Sequence, residues 1–98
     1  MDVRFHHRIQ DDLNEILSKY DEVSDALGDD FLTQLQTGVG RVCENPRFFH
    51  FDQSGLRRYN LERFPYHFLY DVQDDTVRIW VVRHDRRNPS FGQRRFPR

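Results

Sequence analysis

A single change of period divides the chain. Ile9, Leu13, Ile16, Tyr20, Val23 and Leu27 recur at alternating steps of four and three. That is one apolar stripe on a helix, and it sets Asp11, Asp12, Glu15, Lys19, Asp21 and Glu22 on the solvated face. From residue 57 onward the period is two. Tyr59 and Leu61 share a side, flanked by Arg57 and Arg63. Phe68, Tyr70 and Val72 alternate with His67, Leu69 and Asp71, and Val77, Ile79 and Val81 alternate with Arg78, Trp80 and Val82. A short chain that is helical first and alternating later can bury both patterns by laying its helices on one face of a sheet.

The details refine this α+β expectation. Val3 and Phe5 alternate with Asp2, Arg4 and His6, a short opening strand. Gly28 interrupts the helical stripe, and Asp29 is placed to cap a second helix. Phe31, Leu32, Leu35, Val39, Val42 and Cys43 form its stripe, with Gly38 and Gly40 as sites of close packing or fraying. Asn45-Pro46 ends it. The short link around Gly28 predicts an antiparallel helical hairpin. Phe48, Phe49, His50 and Phe51 have no period and read as a loop covering part of the core. Phe64-Pro65 and Gln73-Asp74-Asp75 are turns between three strands of an antiparallel meander. The expected order is β-α-α-β-β-β: a single domain over residues 1–98, with a basic tail at about 84–98 without clear regular structure. The tail's Arg and Pro content predicts mobility until a partner orders it.

Composition excludes several classes. No apolar run approaches the roughly 20 residues of a membrane span. The segment Met1-Asp2-Val3-Arg4-Phe5 lacks the zones of a signal peptide, and a lone Cys43 fits a reducing cytoplasm. Gly-rich phosphate loops, H-E-x-x-H and C-x-x-C are all missing, and His6-His7 has no partner at ligand spacing, so neither metal nor cofactor is expected.

Charge is informative once divided. The net value is −1. The first 45 residues hold four basic and ten acidic side chains, whereas residues 46–98 hold eleven and six. Of the 15 Lys and Arg, all but Lys19 are Arg. Arg57, Arg58, Arg63, His67, Arg83, His84, Arg86 and Arg87 all come from the meander or its exit. Guanidinium groups bind phosphate bidentately, and imidazole can move protons near neutrality. Tyr66, Tyr70 and Trp80 offer rings for base stacking. The alternative is that these Arg are surface residues paired with Asp71, Asp74, Asp75 and Asp85.

Ordered pieces of the chain resemble a known family. They are Asp12-Leu13 with Ile16 and Tyr20; Asn45-Pro46; Arg57-Arg58, Leu61, Arg63-Phe64-Pro65-Tyr66, Phe68 and Tyr70; and Val77, Ile79, Val81, His84, Arg87 and Pro89. Together they resemble the RelE/ParE superfamily of toxins from type II toxin–antitoxin, or plasmid stabilisation, systems. The resemblance implies the same fold and a cytoplasmic toxin neutralised by a cognate antitoxin, in a heterotetramer or a larger complex. It also implies one of two activities. One branch cleaves mRNA at the ribosome without a metal, acting as an mRNA interferase; the other inhibits DNA gyrase by binding. The first is the leading expectation, with Arg63, His67, Arg83, His84 and Arg87 catalytic and Arg57, Arg58, Tyr66, Arg86 and Arg94 holding RNA. The gyrase branch is the alternative, because the ribonuclease branch tends to keep a C-terminal Tyr where this chain has Phe91.

Overall fold

The computed structural model describes residues 1–97. Its elements are β1 (Asp2–Phe5), α1 (Ile9–Asp21), α2 (Asp25–Glu44), β2 (Arg57–Asn60), β3 (Tyr66–Gln73) and β4 (Thr76–His84). They build the expected α+β arrangement, with a helical hairpin on one face of a four-stranded sheet ordered β1-β4-β3-β2. The meander β2–β3–β4 is antiparallel, and β1 joins β4 in parallel, pairing Asp2 with Thr76 and Phe5 with Ile79. The sheet is therefore mixed.

The helices divide at Glu22–Ser24 and not at Gly28. Ser24 is extended, and its hydroxyl accepts the Leu27 N–H at 3.2 Å, capping α2. The apolar stripe of α1 ends with Tyr20; Val23 is 74% exposed. Gly28 lies inside α2 and is buried, because its bare Cα sits against Asp21 and Leu17 of α1. The residue that looked like a helix stop is thus a helix-crossing contact. Gly38 has the same use: a Cβ there would stand 2.5 Å from Cε1 of Tyr59, whereas a Cβ on Gly40 would meet nothing.

Between helices and sheet lies the main core, built from Ile9, Ile16, Phe31, Leu35 and Val42 against Tyr59, Phe68, Tyr70, Val77, Ile79 and Val82. A second cluster occupies the far face of the sheet. There Leu56, Leu69 and Val81 are buried under Trp80, Phe91 and Phe96. The chain after β4 supplies Phe91 and Phe96. It folds back across the sheet and ends in a 3-10 turn at Gln93–Arg95. Gly92 makes this possible, with a positive φ of 82° and a Cα so close to Val81 that a Cβ would stand 2.7 Å from Cγ2. Where no regular structure was expected, the tail has a short 3-10 turn and is packed on the sheet through Phe91 and Phe96.

A buried ion pair fastens the tail. Arg95 donates from Nη1 and Nη2 to the two carboxylate oxygens of Asp12, at 2.7 and 2.8 Å. Asp12 also accepts the Val82 N–H at 3.1 Å. Asp12 is 4% exposed, so it does not belong to the solvated face of α1. Among the described residues, no helix is long and apolar enough to cross a membrane.

Candidate functional site

The strand pattern brings His67 and Arg83 opposite each other on β3 and β4, and the chain turns at His84–Arg87 immediately afterwards. The turn is built by short bonds: Arg86 N–H donates to His84 Nδ1, Arg87 N–H to the His84 carbonyl, and Asp85 N–H to the Pro65 carbonyl. It forms one wall of an open cleft of about 260 Å³, whose other wall is α1. Glu15 and Lys19 line the helix side; Tyr66, His84, Arg86, Arg87 and Phe91 line the sheet side.

The ten residues expected to form the site separate into two groups. His67 and Arg83 are 1% and 4% exposed. Arg83 Nε donates to His67 Nε2 at 3.0 Å, and a guanidinium nitrogen can only donate. His67 Nε2 is therefore the acceptor, and the ring proton sits on Nδ1, 2.9 Å from Asp85 Oδ1. Burial lowers the His67 pKa; the bond to Asp85 opposes the shift, and the neighbouring Arg58 and Arg83 charges reinforce it. Arg83 Nη1 donates to the carbonyls of Pro89 and Phe91, at 2.9 and 3.0 Å. Burial lowers the Arg83 pKa as well. These two side chains tie the ends of β3 and β4 to the tail.

Arg57 and Arg58 are also engaged. Arg57 Nη1 donates to the carbonyls of Arg47 and Phe49. Arg58 bonds Asn60 and lies near Asp52 and Asp85. Asp52 is partly buried, which works to raise its pKa, but bonds from Ser54 and the Arg83 and Arg58 charges hold it below the usual range. Tyr66 is 6% exposed, and burial raises its pKa, helped by its neighbour Tyr20. Tyr70 is enclosed, gives its hydroxyl to the Pro46 carbonyl at 2.7 Å, and is pushed up by burial to about 12. Neither tyrosine offers a ring face for stacking.

The second group faces solvent. Arg63 sits at the β2–β3 turn with φ 70°, His84 is half-buried edge-on to Tyr66, and Arg86, Arg87 and Arg94 are exposed. Arg87 reaches Glu15 at 3.2 Å and covers the Phe91 ring at 4.1 Å. Among the described residues, Arg63, Arg86 and Arg94 have no side-chain bond to another residue. Elsewhere the arginine excess is largely paired, as in Arg78 with Asp71 and Arg41 with Glu62. Among the described residues there is no group of three or more His, Cys, Asp and Glu placed to hold a metal.

The sequence reading missed the pairing of Asp12 with Arg95; Asp85, expected as an arginine partner, lies near Arg58 and also holds His67. The signal for Asp12 was its spacing: it lies four residues before Ile16 and next to Leu13, on the edge of the apolar stripe.

Residues 3–89 match the family described as the ParE toxin of the type II toxin–antitoxin system parDE. The chain belongs to the ParE toxin family. ParE membership makes it the toxin component of a type II system, whose other component is an antitoxin. Among solved structures, the chain is similar to one titled "Chromosomal ParDE TA system from P. aeruginosa". The two are 20% identical with a TM-score of 0.59, and the alignment covers 86% of this chain and 95% of that one. That likeness supports the fold. A search of curated proteins gives no match.

Proposed function

We propose that this ParE-family toxin acts in the cytoplasm by binding DNA gyrase, with no bond broken by its own side chains. The observation that carries this reading is the state of His67 and Arg83. A catalytic imidazole must present a ring nitrogen to the substrate. Both nitrogens of His67 are already bonded, on one side to Arg83 and on the other to Asp85. Arg83 spends Nε and Nη1 inside the fold. His84 accepts the Arg86 N–H at Nδ1, and a carboxylate of the same cleft, Glu15, is paired with Arg87. Family membership points the same way.

Ribosome-dependent mRNA cleavage remains the competing reading, carried by the solvent-facing set Arg63, His84, Arg86, Arg87 and Arg94. Induction in a bacterial host separates the two. Gyrase inhibition predicts filamentation and a DNA-damage response, with transcripts intact by primer extension. Translation arrest with transcripts cut in frame, and no damage response, would overturn the proposal.

A further inference from the structure

The loop between α2 and β2 carries an arrangement that neither the core nor the cleft uses. Of its run Phe48-Phe49-His50-Phe51, only Phe49 turns inward, where it packs edge-on against Tyr59 at 5.1 Å. Phe48 and Phe51 are 72% and 66% exposed, and His50 is exposed as well. Exposed rings on a loose loop would be unremarkable, but this loop is held from several sides. Arg57 binds two of its carbonyls, Arg58 N–H donates to the His50 carbonyl, and Phe51 pairs with Arg57 as an isolated antiparallel bridge. The hydroxyl of buried Tyr70 fixes Pro46 just before it. The fold therefore commits polar groups of β2 and β3 to holding two apolar rings in water.

The shape narrows the partner. Phe51 is a ridge between two shallow grooves, one reaching Tyr70 and Val72 and the other reaching Tyr59 and Asn60. Arg57 covers one face of the Phe51 ring at 4.1 Å, and Phe48 stands edge-on to Phe49 at an interplanar angle of 87°. This is no open ladder of ring faces for a nucleic acid strand. It is a rigid convex ridge, of the kind that supplies aromatic anchors to a protein interface at low entropic cost. Arg47, Arg57 and Arg58 surround it, while the two nearby carboxylates are occupied, Asp52 by Ser54 and Arg58 and Asp71 by Arg78 and Trp80. The concave apolar groove of the molecule, lined by Phe5, Ile9, Leu13, Leu35 and Val39, lies at the opposite edge of the sheet.

We infer that Phe48 and Phe51 are the anchors by which the toxin seats on its target protein, in an apolar pocket with an acidic rim. This rests on the binding mode proposed above. The test uses the full chain with Phe48→Ala and Phe51→Ala together, purified bacterial gyrase, a labelled single-stranded oligonucleotide, and the antitoxin that co-purifies with the wild-type toxin. The expected result is an unchanged circular dichroism spectrum and unchanged antitoxin binding. The concentration needed to inhibit supercoiling should rise by roughly thirty-fold. Full inhibition by the double variant overturns the inference, as does loss of antitoxin or oligonucleotide binding with inhibition intact. A wild-type toxin that leaves gyrase untouched overturns the binding reading itself and is read separately. Phe51→Leu retains the apolar bulk and should recover part of the inhibition.

Discussion

Replacing Asp12 by Ala tests the account of how the sheet's second face is closed. The carboxylate receives three bonds, one from the Val82 N–H and two from Arg95. Its side chain is 2% exposed and that of Arg95 is 10%. Alanine leaves the Val82 amide without a partner and the Arg95 guanidinium with the Trp80 carbonyl alone. Removing one member of a buried pair costs about 3–5 kcal/mol. The low end applies here, because the tail can carry Arg95 out to water. The loss would then be about 3 kcal/mol, out of the roughly 5–15 kcal/mol that stabilises a typical domain. At ~4–8 °C per kcal/mol for a domain of this length, Tm should fall by about 12–24 °C. Urea denaturation followed by Trp80 fluorescence is a suitable assay, because Trp80 is the single tryptophan and its carbonyl accepts from Arg95. The double change Asp12→Leu with Arg95→Met should recover the part of the loss that comes from the unpaired guanidinium, while the Val82 N–H stays without its acceptor. A loss under ~1 kcal/mol for Asp12→Ala, the value of a surface bridge, would refute the reasoning.

Further expectations concern the core and the histidine. Gly40→Ala should stabilise α2 by about 1 kcal/mol by helix propensity, because the added methyl meets nothing. Gly38→Ala should destabilise by about 1–3 kcal/mol, because the Tyr59 ring that it meets is stacked on Phe68; paired thermal melts decide both. His67 has a folded pKa below its ordinary 6.5, so on acidification the unfolded chain takes up a proton before the folded one does. Unfolding free energy should therefore fall as pH drops below about 6.5 and level off beneath the lowered value. In His67→Gln that part of the slope should vanish; an unchanged slope in the variant would assign it to other groups.

The helices and strands were legible where burial follows one period. Tyr59, Phe68, Tyr70, Val77 and Ile79 face the helices as their alternation required, but the period breaks beyond Ile79: Val81 lies on the far face and Val82 faces the helices in its place. The boundary at Ser24 was not legible, because Val23 and Leu27 continue the arithmetic of the α1 stripe across a real break. Gly28 mimicked a stop because a close helix crossing and a C-cap both select glycine. The candidate site was legible only as a neighbourhood. His67, Arg83, His84 and Arg87 do converge at one end of the sheet. What separates the buried members from the exposed ones is the folded-back tail, and its apolar residues, Phe91 and Phe96, stand singly among arginines. Asp12 and Arg95 are 83 positions apart, and no local pattern could pair them.

The most direct test of the central claim is a supercoiling assay with purified gyrase and purified toxin. The binding account predicts inhibition by the wild-type protein, and equal inhibition by His84→Ala with Arg87→Ala, variants that would disable a ribonuclease. Undiminished supercoiling at excess toxin would contradict it.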